Sequence, residues 1–188
     1  MTEIYLARHG ETQENVARIL QGHLPGRLTE RGREQAAELR DELVQMNIRF
    51  DALLVSDLQR TIDTAQTVNA ALGLPLTLCK LLRERDWGSL TGCHVRRAKA
   101  ENIPADAESV EEMFTRARRF LSFVTQSYPD KTVLCIGHGL FCRCIMAANA
   151  GCTIRDIPRM QNAEVRHISV NTALSNHPTD YSEIVSAD

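Results

Sequence analysis

The chain has 188 residues, 43% of them hydrophobic, and 22 Lys and Arg against 24 Asp and Glu give a formal net charge of −2. That length suits one domain, taken as residues 1–188, with apolar surface enough for a core that needs no disulfide or metal staple. The mixed charge argues against nucleic acid or a membrane as partner, no apolar run approaches the roughly 18 residues of a membrane span, and the N-terminus lacks a signal-peptide pattern.

The first element in chain order is the apolar run EIYLAR at 3–8, which predicts a strand that runs out into His9 and Gly10. Residues 29–46 place Ala36, Leu39, Leu43 and Met46 at helical spacing, with Thr29 as N-cap. DALLV at 51–55 predicts a second strand. Ser56 and Gln59 then stand in capping-box spacing ahead of Leu58, Ile62, Ala65, Val68 and Leu72, which predicts a helix opened by Ser56. A weaker strand is expected over 76–82, and a short helix with a loop across one end of the sheet over 92–109. Ser109 and Glu112 form a further capping box for a helix carrying Val110, Met113, Ala117, Phe120 and Val124. Strands follow at 132–136 and 165–170, with a weaker one at 181–185. The six cysteines include no C-x-x-C pair and read as free thiols of a cytoplasmic protein. Strands alternating with helices of this length indicate an α/β fold with a mostly parallel sheet.

Open sheets of that kind bind ligands at the carboxyl ends of their strands. His9 and His138 each end a strand and lie beside glycine, so both belong to one rim although 129 positions separate them. Arg60 falls in the first turn of a helix, where a cation opposes the helix dipole, and that placement asks for a counter-anion or for the neighbouring Asp57. Glu84 follows the weak strand. Guanidinium groups hold phosphate oxygens, neutral imidazole attacks phosphorus, and a carboxyl group beside a phosphate dianion keeps a proton to give to a leaving alkoxide. Taken singly, each residue has a plainer reading: Arg8 as a strand-end surface charge, the histidines as satisfied core residues, Glu84 as a solvated charge. The joint pattern is what points to phosphoryl chemistry.

ARHGET at 7–12 resembles the signature of the histidine phosphatase superfamily, which includes the cofactor-dependent phosphoglycerate mutases. LTERGREQA at 28–36, SDLQRTIDTA at 56–65, LRERDWGSLTG at 82–92 and IGHGL at 136–140 recur in the family's order, so the resemblance covers roughly residues 3–170. It implies a three-layer α/β/α sandwich around a mostly parallel sheet, of the phosphoglycerate mutase-like kind. It also implies His9 as the phosphorylated nucleophile, Glu84 as proton donor, and Arg8, Arg60 and His138 as the groups that hold the phosphoryl. Asn15, Gln21, Gly22 and Gly139 fall at positions that contact phosphate or line the pocket in the family. No metal and no cofactor is implied.

The chain departs from the family pattern at named places. Pro25 stands where many relatives have Asp, and Thr91 where Glu is common. Leu140 replaces the Asn that mutases carry after the second His-Gly, and only 20 residues separate Gly88 from Ser109, where mutases have a longer insertion. Arg96, Arg97 and Lys99 are the sole candidates there for gripping a carboxylate, while His23 and Trp87 are candidates for the pocket mouth. The reading favoured is a phosphomonoesterase for a small phosphorylated metabolite, working as monomer or homodimer. A mutase comes second. A non-catalytic phospho-ligand domain and a metal hydrolase using His9, His138 and Glu84 stand behind both.

Overall fold

The computed structural model describes residues 1–99, 103–171 and 184–186. Four strands, β1 (Thr2–Arg8), β2 (Ala52–Val55), β3 (Leu76–Cys79) and β4 (Thr132–Gly137), pair in parallel, and β5 (Val165–Val170) and β6 (Ile184–Ser186) close the two edges antiparallel. The order across the sheet is β5-β1-β4-β2-β3-β6. β2 and β4 are the continuous apolar runs expected of central parallel strands, covered on both faces.

The period of two along each strand divides its side chains between two cores. Ile4, Leu6, Val133 and Cys135 pack on one face beneath α4 (Val110–Ser127) and α5 (Gly139–Ala150), joining Met113, Ala117, Phe120 and Phe141. Ala7, Leu134 and Ile136 pack on the other beneath α2 (Glu30–Gln45) and α3 (Gln59–Leu72), joining Leu39, Leu43, Ala65 and Val68. The expected α/β/α sandwich is therefore the observed one. Each fully buried Leu or Phe contributes about 1.5–3 kcal/mol relative to an exposed one, so both helical layers are held by burial and not by propensity.

The caps at Thr29 and Ser109 form as expected, with Thr29 Oγ1 accepting from the Gly32 N–H and Ser109 in a full capping box with Glu112. Ser56 does not cap α3. That helix starts at Gln59, Leu58 stands at its N-cap position without a side-chain bond, and the Arg60 N–H donates instead to the Pro25 carbonyl, 3.0 Å away. The strand expected over 76–82 stops at Cys79 and turns into a 3-10 turn, Lys80–Leu82. Over 92–109 a 3-10 turn, Val95–Arg97, is strapped to the loop that follows the short helix α1 (Gln13–Val16) by backbone bonds from the Val95 N–H to the Arg18 carbonyl and from the Leu20 N–H to the Cys93 carbonyl, each 2.8 Å. Of the weak strand expected at 181–185, residues 181–183 lie outside the described residues. No helix is long and apolar enough to cross a membrane among the described residues.

Candidate active site

β1 and β4 are neighbours, so their carboxyl ends deliver His9 and His138 side by side, with ring centroids 5.3 Å apart. The close fit around His9 depends on glycine. A Cβ on Gly10 would meet the Gly32 carbonyl oxygen at 2.3 Å, so only glycine lets the strand end lie against the start of α2. His9 Nδ1 stands 2.7 Å from its neighbour's Gly10 carbonyl oxygen. A carbonyl only accepts, so Nδ1 carries the proton and Nε2 keeps its lone pair. Burial, then the positive charges of Arg60 and Arg8, hold the His9 pKa well below the usual imidazole range. The ring is neutral at pH 7.

His138 is fully buried, and burial followed by Arg60 and His9 lowers its pKa in the same way. Its Nε2 lies 2.9 Å from Ser56 Oγ, which is where the hydroxyl expected to cap α3 goes. Its Nδ1 has no partner.

α3 and the loop before it hold Arg60. Its side chain is 1% exposed, Nη2 donates to the Gly22 carbonyl at 2.9 Å, and Nη1 donates to the Leu24 carbonyl. Gly22 adopts φ +48°, which turns its carbonyl toward the guanidinium at a backbone conformation glycine tolerates. The loop around Pro25 thus forms a backbone collar around this arginine. Burial pushes the Arg60 pKa down to about 10, even though Glu84 and Glu14 act to raise it. Asp57, the alternative counter-ion, pairs with Arg83 instead, through a 2.7 Å bond from Arg83 Nε. Arg8 donates from Nη1 to the Met160 carbonyl at 2.8 Å, and burial lowers its pKa as well. A Cβ on Gly139 would stand 3.0 Å from Arg8 Nε, so this glycine gives the arginine its place.

Glu84 accepts from the Arg85 N–H at 2.8 Å and from the Leu140 N–H, in the first turn of α5, at 3.3 Å. Asn15 Oδ1 accepts from the Thr12 N–H and from Asn162 Nδ2. Arg8, His9, Asn15, Gln21, Gly22, Arg60 and Glu84 line one cavity of about 120 Å³, walled also by Trp87. That is roughly the volume of four water molecules, suited to a phosphoryl group. Among the described residues, the buried side-chain polar atoms without a partner are Arg8 Nε, Gln21 Oε1, Arg60 Nε and His138 Nδ1; the first three belong to residues lining this cavity, whereas His138 does not line it and stands next to His9. Turning the Gln21 amide would present an N–H there in place of its oxygen.

The remaining expectations divide. Trp87 does stand at the cavity wall, with the Arg85 guanidinium 4.4 Å from its ring centroid. His23 does not. It lines a neighbouring cavity, where its Nε2 bonds the Glu84 carbonyl at 3.0 Å. Arg96, Arg97 and Lys99 are exposed and outside the 120 Å³ cavity. Sequence reasoning missed Asn162, which donates to the His9 carbonyl and to Asn15, and Thr64, whose hydroxyl accepts from the Gly10 N–H. Asn162 sits in an aperiodic loop with no local signal, whereas Thr64 is one of three buried polar residues on the inner face of α3. No group of three or more His, Cys, Asp or Glu side chains is placed to hold a metal ion among the described residues.

The family model of the histidine phosphatase superfamily (branch 1) matches residues 4–173. The chain belongs to that superfamily. It is similar to the uncharacterized phosphatase PhoE of Bacillus subtilis, 32% identical over 94% of this chain and 88% of that one. It is also 31% identical to the probable phosphoglycerate mutase GpmB of Enterobacter, over 80% and 76% of the two chains. Among solved structures, Bacillus stearothermophilus YhfR superposes with a TM-score of 0.82 at 28% identity, covering 91% of this chain and 92% of that one. Family and relatives together support a phosphatase of this superfamily.

Proposed function

We propose that the protein is a metal-independent phosphomonoesterase that works through a phosphohistidine on His9. One observation carries the reading: the buried Arg60 and the half-buried Arg8, each with a buried and unpartnered Nε, face a phosphoryl-sized cavity beside a neutral imidazole. Two cations set against the single carboxyl group of Glu84 leave positive charge uncompensated in the cavity, and a phosphate dianion supplies the missing charge. His9 Nε2 attacks phosphorus while Arg8, Arg60, His138 and Asn15 hold the equatorial oxygens. The P–O bond to the leaving group breaks, and the departing oxygen takes the proton of the Glu84 carboxyl. Water then attacks the phosphohistidine, its proton passes to the Glu84 carboxylate, and the P–N bond breaks to release inorganic phosphate.

A mutase reading has the GpmB relative behind it, and it requires the phosphoryl group to return to substrate instead of passing to water. The brief segment between Gly88 and Ser109, and Leu140 in place of Asn, favour hydrolysis. The deciding experiment measures phosphate release from aryl and metabolite phosphates with EDTA present throughout, together with acid-labile labelling of the protein. Release in chelator with labelled His9 is expected. Exchange of 3- and 2-phosphoglycerate with little free phosphate would instead establish the mutase, and absence of both activities would overturn the proposal.

A further inference from the structure

Beyond the phosphoryl cavity the cleft continues. Arg8 and Glu84 also line a second cavity of about 320 Å³, whose other walls include Val95, Leu140 and Met160 and the guanidinium-bearing residues Arg143 and Arg159. Leu140, Arg143 and Arg159 in turn border a third, largely apolar cavity of about 640 Å³ that includes Met113, Phe114 and Ile154. Because Glu84 stands at the junction of the first two, the second is where a leaving group protonated by Glu84 lies.

The charges along this path are one-sided. Arg8, Arg143 and Arg159 face the second cavity against Glu84 alone. Arg143 is held in place by its own bonds to the carbonyls of Ile157 and Ile154, at 2.8 and 2.6 Å. Arg159 is different: it is exposed, and its guanidinium makes no hydrogen bond or ion pair among the described residues. Burial first, and then the nearby charges of Arg159 and Arg166, lower the pKa of Arg143, although Glu84 acts to raise it; Arg166 is paired with Glu164, which leaves Arg143 and Arg159 as like charges on the cavity wall.

Resting on the phosphatase reading, we infer that Arg159 determines specificity by binding a second anionic group on the leaving side of the substrate. The substrate class is a phosphate monoester whose alcohol or phenol part also bears a carboxylate or a further phosphate. The apolar walls give that part room for a ring or a short hydrocarbon body between its two charged ends. This assigns to the loop before β5 the task that the sequence suggested for Arg96, Arg97 and Lys99.

The test compares three esters with one skeleton: phenyl phosphate, 4-carboxyphenyl phosphate and benzene-1,4-diol bisphosphate. The full chain and its Arg159→Ala and Arg159→Lys variants are assayed for kcat/KM on each. The ratio of charged to neutral ester is expected to exceed one in the wild type and to fall about tenfold in Arg159→Ala, the scale of one charge-assisted contact. Arg159→Lys should restore part of it, and which charged ester responds distinguishes carboxylate from phosphate. A ratio that Arg159→Ala leaves unaltered, or a wild type preferring phenyl phosphate, overturns the inference and leaves the phosphatase standing. If no ester is hydrolysed and no acid-labile phosphohistidine forms, the phosphatase reading fails and this inference with it.

Discussion

β1 and β4 run side by side, and each ends in a buried histidine next to glycine, yet the two rings are held in opposite ways. His9 is tied through Nδ1 to its own neighbour's carbonyl, so its Nε2 is the free atom, and the residue lines the phosphoryl-sized cavity. His138 is tied through Nε2 to a hydroxyl at the end of a different strand, so its Nδ1 is the free atom, and its ring stands edge-on to that of His9 without lining the cavity. A ring fixed by the backbone of its own loop has one tautomer and one exposed lone pair, as an attacking group requires. A ring fixed by a rotatable hydroxyl can either donate or accept through that nitrogen, so its tautomer is not set by the contact. Similar burial and similar sequence context thus leave different nitrogens free on the two rings.

The strongest way to break that comparison is to exchange the roles. His9→Ala should remove phosphate release by a factor on the order of 10⁴ or more and abolish acid-labile labelling, since no second imidazole, hydroxyl or thiol borders the cavity among the described residues. His138→Ala should lower turnover yet still permit labelling of His9. If His9→Ala retained labelling while His138→Ala lost it, the assignment of nucleophile and binder would be inverted.

The same comparison explains what the sequence makes legible. Strand ends are readable because a buried parallel strand is a continuous apolar run, and the residue following it lies on the binding rim. That logic places His9 and His138 on one rim, whereas Glu84 stands beyond a 3-10 turn that follows the partly buried β3. The error at Ser56 has a physical origin: capping-box spacing is a local signal, but the α3 terminus is satisfied by the Pro25 carbonyl from a distant loop, freeing the hydroxyl for His138. Asp57 reads in the sequence as a partner for Arg60, but Arg83, 26 residues later, takes its carboxylate. Asn162, Met160 and Arg159 lie in a stretch without periodicity, and only the antiparallel return of β5 along β1 brings that loop back to the site.

Ser56 offers a finer test. Ser56→Ala leaves the buried His138 Nε2 unpartnered, and an unmade buried hydrogen bond costs about 1–3 kcal/mol. Turnover should therefore fall about tenfold, with KM for phosphate esters raised in parallel if the loosened ring binds the phosphoryl less well. Ser56→Thr, which keeps the hydroxyl, should recover most of the loss. Full activity in Ser56→Ala would show that the hydroxyl does not position the ring.

Both histidines should also register in stability. Each is held below its usual pKa in the folded chain, while in the unfolded chain each takes up a proton near pH 6.5. Below that pH the unfolded state binds more protons, so stability falls as pH drops from about 6.5 toward the folded-state pKa values, by up to about 1.4 kcal/mol per pH unit for each histidine. Asp57 and Glu164, whose pKa values are lowered, add their loss only as pH falls below the ordinary carboxylate range, so the two windows separate. Urea unfolding between about pH 7 and 5 should show the slope, and His138→Gln should flatten it by about half. A flat profile would mean that the rings are charged in the folded state.

The smallest expected effect concerns the segment that a mutase would use to grip its substrate. Val95 reaches the second cavity, but Arg96, Arg97 and Lys99 are exposed and appear on none of the three linked cavities. Exposed charges at the rim act on association through a field that physiological salt screens within roughly 8 Å. Replacing all three with Ala should therefore change kcat/KM by less than about twofold at physiological ionic strength, with a larger effect confined to low salt and anionic substrates. A tenfold loss that persists at high salt would require these side chains to touch substrate, and would move the recognition of its anionic end from the loop before β5 to the strapped 3-10 turn.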